Sequence, residues 1–89
     1  MLRPSYTKQF KKDLERMKRR RKDTEKIKSV MEKLMAQQPL EVRHRDHWLQ
    51  GKYEDRRECH IEPDWLLIYT PRKEEIIFER TGTHSDLFG

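Results

Sequence analysis

The chain has 89 residues, of which 33% are hydrophobic and 42% charged, with a net charge of +5 and a mean hydropathy of −1.22. This length suits one small domain over residues 1–89, and its clustered large apolar residues favour a folded chain over a disordered one. The longest apolar run, Trp65–Tyr69, is far below the roughly 20 residues needed to cross a bilayer, and the N-terminal residues lack a signal-peptide core. A single cysteine, Cys59, permits no internal disulfide, so we expect a cytoplasmic protein with no membrane contact.

Two amphipathic helices are predicted before Pro39. The first spans about residues 7–20, where the helical period gives one apolar stripe of Tyr6, Phe10, Leu14 and Met17. Ser5 or Thr7 can cap this helix by accepting from the unpaired N–H groups of its first turn. The second helix begins at a cap on Asp23 or Thr24 and ends before Pro39, because the residue before a proline avoids the helical region. Its apolar face consists of Ile27, Val30, Met31, Leu34 and Met35.

Positive charge is concentrated on these two helices. Residues 1–30 hold twelve Lys and Arg against four Asp and Glu, a net charge of +8, whereas residues 31–89 carry a net charge of −3. A basic stripe of this kind is typical of a protein that binds a polyanion, because each phosphate contact releases condensed counterions. A solvated, lysine-rich helix face gives the same pattern, so the charge alone leaves the partner open.

The rest of the chain predicts a small sheet. Residues 40–47 are polar and irregular, as in a loop, and Gly51 marks a turn before Tyr53. A period of two then predicts a strand with one solvated face, whose buried residues are Arg57, Cys59 and Ile61.

Two more strands follow. The Pro63-Asp64 turn leads into a buried central strand over Trp65–Tyr69, and another turn leads into a strand over Ile76–Arg80. Gly82 ends that strand and leaves a short tail, while Met1–Arg3 can add an edge strand that Pro4 keeps short. The predicted fold is α+β, with two N-terminal helices packed on a small antiparallel β-sheet.

The residues with distinctive chemistry are four histidines and one cysteine: His44, His47, Cys59, His60 and His84. A zinc site is disfavoured because adjacent residues of a strand, here Cys59 and His60, point to opposite faces. The same geometry argues against a Cys–His nucleophile pair, and Cys59 fits better as a small buried apolar residue. We therefore expect neither a metal nor another cofactor.

Metal-free acid–base chemistry fits the polar residues better. His47 precedes the sheet, His60 and Asp64 flank a strand end, and His84 follows the last strand, so all four can converge at one sheet edge. Histidine can give or take a proton near neutral pH, and Arg80 could pair with a phosphate. Scattered histidines are nevertheless more often ordinary surface residues.

Several segments, read together, carry more information than any single residue. They are His47–Gly51, Arg57–Trp65, Leu67–Tyr69 and Phe78–His84, with Tyr6–Asp13 near the start and Leu87–Gly89 at the end. In order and spacing they closely resemble the YafQ branch of the RelE superfamily of bacterial toxins. The resemblance implies a compact α+β toxin of a type II toxin–antitoxin pair. Such toxins are endoribonucleases that enter the ribosomal A site and cleave the mRNA there.

Carried over residue by residue, the resemblance implies a catalytic set of His47, His60, Asp64, Arg80 and His84. It implies that Phe88 and Trp65 stack on RNA bases, although core packing is the alternative for both and the favoured role for Trp65. It also implies that the first helix contacts ribosomal RNA phosphates through Lys11, Lys12, Arg16, Arg19 and Arg20. Trp48 stands where some relatives have a smaller residue, and His44 lies outside the matched motifs, which makes it a control position.

The implied partners are the 70S ribosome, its mRNA and a cognate DinJ-like antitoxin of the ribbon-helix-helix class, which alone would contact operator DNA. The 2′-hydroxyl of RNA is its own nucleophile, so acid–base groups and phosphate stabilisation suffice for cleavage. Three alternatives stay open: a ParE-like toxin that inhibits DNA gyrase, a non-catalytic RNA-binding module, and a zinc-dependent hydrolase. The first two have no use for converging histidines, and the third would be sensitive to chelators.

Overall fold

The computed structural model describes residues 1–51 and 55–89, so the position of Tyr53 after the Gly51 turn lies outside the described residues. The elements in chain order are β1 (Arg3–Tyr6), α1 (Lys8–Arg19), α2 (Thr24–Met35), β2 (His47–Trp48), β3 (Arg57–Glu62), β4 (Trp65–Pro71), β5 (Glu75–Gly82) and α3 (His84–Phe88). The strands form one sheet in the order β1-β5-β4-β3-β2, which confirms the α+β class. Within the described ranges, no helix is both long and apolar enough to cross a membrane.

The two N-terminal helices are confirmed, and both start at a predicted cap. The Thr7 hydroxyl accepts from the Phe10 N–H at 2.9 Å, and the Asp23 carboxylate accepts from the Glu25 N–H at 3.0 Å. Their apolar stripes pack on one face of the sheet, where burial of apolar surface supplies the main stabilisation. The core between these layers includes Phe10, Met17, Ile27, Val30, Cys59, Trp65, Leu67, Tyr69 and Phe78.

The sheet is mixed, so the prediction of a wholly antiparallel sheet is wrong at one edge. Strands β2 to β5 pair antiparallel as expected, but β1 lies parallel to β5, with Ser5 beside Ile77. No hairpin joins β1 to β5, since almost the whole chain lies between them, and nothing local sets their relative direction. Pro4 is tolerated because β1 is an edge strand.

Two further elements replace predicted irregular segments. His47 and Trp48 form the short edge strand β2 against β3, where the sequence predicts only a loop. The tail after Gly82 contains helix α3, started by a capping box in which Thr83 and Asp86 each accept from the other's backbone N–H.

Candidate active site

The sheet face opposite the helices carries most of the predicted site residues. Side chains alternate between the two faces along a strand. Cys59 on β3 and Leu67 on β4 point into the core, so their neighbours along each strand point to the opposite face. On that face, the strand register forms one row of His47, Glu58, Ile68 and Arg80, and a second row of His60, Leu66 and Gly82. The β3–β4 turn, which contains Asp64, and helix α3, which contains His84, follow directly along the chain from the strand ends that form the second row.

Asp64 and His84 form a short polar contact within the site. His84 Nδ1 donates to Asp64 Oδ1 at 2.6 Å, and the His84 backbone N–H donates to the same oxygen at 2.9 Å. The backbone hydrogen bond, followed by the side-chain one, lowers the pKa of the Asp64 carboxyl below its usual value. Because a carboxylate only accepts, Nδ1 of His84 carries a proton, and Nε2 is the atom left to exchange protons with a substrate.

His60 lies beside this pair. Its ring centroid is 5.9 Å from that of His84, in an edge-on arrangement. His60 Nε2 is also 3.5 Å from Glu58 Oε1, and His47 Nε2 lies 3.6 Å from the same oxygen. The Nδ1 atom of His47 donates to the Arg45 carbonyl at 2.6 Å, which fixes the tautomer of that ring. Three predicted histidines and Asp64 are thus brought together around Glu58 and α3.

Glu58 is a site residue that the sequence-based set lacks. Its side chain is 8% exposed and lies between His47 and His60. The Glu58 carboxylate can therefore accept a hydrogen bond from Nε2 of either ring when that nitrogen is protonated. The period-two pattern already placed Glu58 and His60 on one solvated face, but pairing with His47 depends on the register of β2, which the sequence did not predict.

Arg80 is oriented by helix α1. Its Nε donates to Asp13 Oδ2 at 2.7 Å, and a second guanidinium nitrogen donates to Asp13 Oδ1 at 3.3 Å. The Asp13 carboxylate is fully buried and also accepts from the Thr81 backbone N–H at 3.2 Å. The Arg80 side chain remains 30% exposed at the end of the row that starts with His47.

For Trp65, the favoured role of core packing is confirmed, and the candidate role of base stacking is wrong. Trp65 lies on the central strand β4 with 0% exposure, and its indole N–H donates to the Thr81 hydroxyl at 2.9 Å. A fully buried ring has no face on which a base could stack, so Trp65 is a core residue. Phe88 on α3 is 49% exposed, and its stacking role stays a prediction.

The basic residues of α1 divide into two groups. Lys11, Lys12 and Arg19 are exposed, as a phosphate-binding surface requires. Arg20 instead makes a bidentate ion pair with Asp86, with nitrogen–oxygen distances of 2.6 and 3.0 Å, and Arg16 contacts Asp13 at 3.1 Å. The resemblance predicted that Arg16 and Arg20 contact RNA, but both side chains are paired with carboxylates of the same chain.

Two of the remaining residues are structural. Cys59 is fully buried, and burial raises the pKa of its thiol well above the usual range, which excludes a nucleophilic thiolate. His44 is buried, and its Nδ1 donates to the His60 carbonyl at 2.6 Å, so His44 is unsuited to the control position that the sequence offered. Among the described residues, no cluster of three or more His, Cys, Asp or Glu could hold a metal ion.

Known proteins resemble this chain over its whole length. The family model described as bacterial toxin of type II toxin-antitoxin system, YafQ, matches residues 2–89. The mRNA interferase toxin YafQ of Escherichia coli K12 is 44% identical over 85 residues, which cover 94% of this chain and 92% of the relative. The putative toxin YafQ of Haemophilus influenzae is 33% identical over 91 residues, with 94% and 89% covered. The E. coli DinJ–YafQ complex structure contains a chain that is 41% identical, with a TM-score of 0.93 and both chains covered completely.

Proposed function

This chain belongs to the YafQ family of bacterial type II toxins, and from that membership we propose that it is an endoribonuclease that cleaves mRNA on the translating ribosome. The observation that carries the proposal is the hydrogen-bonded Asp64–His84 pair beside His60 on the open face of the sheet. Two imidazoles at this separation can serve the two proton transfers that RNA cleavage needs.

The reaction uses the nucleophile that RNA carries. One imidazole removes the proton of the 2′-hydroxyl, and the 2′-oxygen attacks the adjacent phosphorus. The bond from phosphorus to the 5′-oxygen breaks, and a second proton-bearing group protonates that oxygen. The products are a 2′,3′-cyclic phosphate and a 5′-hydroxyl. His84 takes part through Nε2, because Asp64 holds the Nδ1 proton and fixes the ring.

Glu58 and Arg80 support the charges that this reaction creates. When His47 or His60 carries two ring protons, the Glu58 oxygen between them is placed to stabilise the imidazolium. Arg80, anchored by the buried Asp13, presents positive charge at the far end of the same row for the phosphate oxygens. Phe88 on α3 offers an exposed ring for a base.

The cognate partner is an antitoxin of the DinJ kind, because a relative of this chain is found in a complex with DinJ. An open, mostly apolar groove between α1 and α2 supports such binding, with basic side chains at its rim. Its lining includes Tyr6, Leu14, Met31, Lys11 and Lys28. An antitoxin segment with apolar residues and carboxylates would fit both features, and operator DNA would be contacted through the antitoxin. Action on ribosomes places the protein in the cytoplasm.

The proposal is tested with purified protein, programmed 70S ribosomes and the same mRNA free in solution. We expect cleavage within the A-site codon on ribosomes, far faster than on free RNA, with 2′,3′-cyclic phosphate and 5′-hydroxyl ends. Equal rates on both substrates would contradict ribosome dependence, and intact mRNA in both reactions would contradict the nuclease itself. His84→Ala serves as the matched inactive protein.

A further inference from the structure

Helix α3 carries His84 but has little apolar packing of its own. None of the described residues of α3 is buried, and the helix has only five residues, too few to be stable in isolation. Polar contacts therefore have to hold its position against the sheet.

Asp86 is the centre of those contacts. Its carboxylate accepts from the Thr83 backbone N–H at 2.9 Å and receives both guanidinium nitrogens of Arg20. Gly82, just before the cap, has a φ of +156°, and a Cβ there would lie 2.9 Å from the Asp86 Cβ. The chain therefore approaches Asp86 closely at the point where it turns into α3.

We propose that Arg20 and Asp86 form a clamp that positions the His84 ring for cleavage, so that Arg20 acts through Asp86 rather than on RNA. The inference rests on the proposed nuclease function. Arg20 lies at the end of α1, whose Phe10 and Met17 are buried in the core, so the clamp ties α3 to a helix that is packed against the sheet. A displacement of about 1 Å at a catalytic group can cost about 100-fold in rate.

Removing Asp86 separates the clamp from an RNA-binding role for Arg20. If Arg20 contacts RNA, Asp86→Ala liberates its guanidinium and adds net positive charge, so ribosome binding is kept or improved. If Arg20 works as a clamp, Asp86→Ala and Arg20→Ala lower the saturating single-turnover rate by a similar factor, about 10- to 100-fold. The double variant should then be no slower than Asp86→Ala alone, because Arg20 acts through Asp86, whose replacement also removes the hydrogen bond from the Thr83 N–H.

The experiment measures the saturating rate and the half-saturating protein concentration on programmed ribosomes for these three variants. Lys18→Ala, which removes one positive charge from the same helix, is the control. Amide hydrogen exchange of residues 83–89 is measured without RNA, and faster exchange is expected in Arg20→Ala and Asp86→Ala but not in Lys18→Ala. Unchanged exchange, or additive rate losses, would overturn the clamp. Because exchange needs no RNA, it tests the clamp even if the wild type cleaves nothing.

A second observation concerns Trp48, which follows His47 on the edge strand β2 and, by strand alternation, lies on the other face of the sheet. Trp48 is 54% exposed, and the Arg57 guanidinium lies 4.8 Å from its ring centroid. Arg57 is itself fixed, since Nε lies 3.2 Å from Asp46 Oδ1 and 3.3 Å from the Tyr69 hydroxyl, and that hydroxyl donates to Asp46 at 2.5 Å. The indole is therefore supported on one side by an anchored cation, while the remaining surface is open.

We infer that Trp48 is a stacking subsite for an unpaired mRNA base that lies beyond His47, around the edge of the sheet. The inference also depends on the proposed function. Because β2 is the edge strand of the sheet, a nucleotide strand that passes from His47 around this edge reaches the Trp48 ring on the other face. Unpaired bases of any sequence can stack on an exposed aromatic ring, and a nearby guanidinium attracts the adjoining phosphates.

Fluorescence can isolate this residue, because the chain has two tryptophans and Trp65 is fully buried. In His60→Ala protein, a short unpaired oligoribonucleotide should quench the accessible Trp48 emission. Fluorescence anisotropy of a dye-labelled copy of that RNA should show about tenfold weaker binding after Trp48→Ala and near-normal binding after Trp48→Phe. On programmed ribosomes, Trp48→Ala should raise the half-saturating concentration more than it lowers the saturating rate. Unchanged RNA binding, with weakened antitoxin binding instead, would overturn the inference and assign this surface to the antitoxin.

Discussion

The two halves of the site are held in place in different ways. His60 and Glu58 lie on β3 with side chains 14% and 8% exposed, so neighbouring strands and the core beneath them fix their positions. Asp64 and His84 lie on a turn and a short helix with side chains 65% and 55% exposed. Their geometry depends on hydrogen bonds and ion pairs in contact with water. One half of the site is therefore maintained by packing, and the other half is sensitive to charge.

The largest effect expected is on the chemical step. His60→Ala and His84→Ala should each lower the single-turnover cleavage rate on programmed ribosomes by roughly 10²–10⁴, and the double variant should lose less than the product of the two. The free energies of unfolding of the two variants should differ, because His60 is mostly buried and His84 is exposed. Only His84→Ala is expected to stay within about 0.5 kcal/mol of wild type. Thermal melts measure that difference. Full activity in both single variants would contradict the mechanism.

The next prediction concerns the half of the site that is maintained by packing, which contains His60 and Glu58. Thr81→Val removes the acceptor of the Trp65 indole N–H and leaves that donor unpaired in the core. We expect the free energy of unfolding to fall by about 1–3 kcal/mol, measured by urea denaturation. Cleavage by the folded fraction should stay near wild type, because the site face is not altered. A large loss of activity at full stability would show that the two halves are not separable in this way.

The charge-sensitive half should respond to acid. Hydrogen bonding to Arg20, with help from Thr83, holds the pKa of the Asp86 carboxyl well below its usual range. A depressed pKa contributes stability that is present above the unfolded value of about 3.9 and is lost as the pH falls through the folded value. Asp86→Asn should therefore melt below wild type at pH 6, and this gap should close as the pH falls below about 4. A gap that does not change with pH would contradict the ion pair.

A smaller effect is expected for antitoxin association. Salt screens the attraction between a basic surface and an acidic segment, so the association rate should fall as the salt concentration rises. Stopped-flow mixing with a DinJ-like antitoxin measures this, and Lys28→Ala should reduce the salt dependence slightly, because Lys28 lies at the groove between α1 and α2. Rates that are independent of salt would contradict the electrostatic part of the proposed interface.

Local signals in the sequence predicted most of the scaffold. Thr7 and Asp23 cap the helices as expected, and the apolar run at Trp65 forms the buried central strand, because these features depend on neighbouring residues. The parallel direction of β1 could not be predicted, since its partner β5 is more than seventy residues away. Helix α3 did have a local signal, the spacing of Thr83 and Asp86, which its short length obscured.

The site was predicted in its residue types but not in its contacts. His47, His60, Asp64 and His84 do converge, as the segment positions implied. The link through Glu58 requires the register of β2 against β3, and the ion pair of Arg20 with Asp86 joins residues 66 positions apart. The family resemblance implied that Arg20 is a phosphate ligand and left Trp65 as a candidate stacking ring. Only the three-dimensional neighbours of each residue distinguish these roles.

The carboxylate of Asp13 has a consequence for how this protein behaves among other copies of itself. Strand β1 covers β5 only from Glu75 to Phe78, so the rest of that edge would offer unpaired backbone groups for a strand from another molecule. Asp13 accepts the Thr81 N–H there, in place of a neighbouring strand. At the other edge, β2 has only two residues. Within the described residues, the Asp13 carboxylate therefore occupies a backbone donor of β5 that a strand from another toxin molecule would need, which disfavours aggregation through the β5 edge of the sheet.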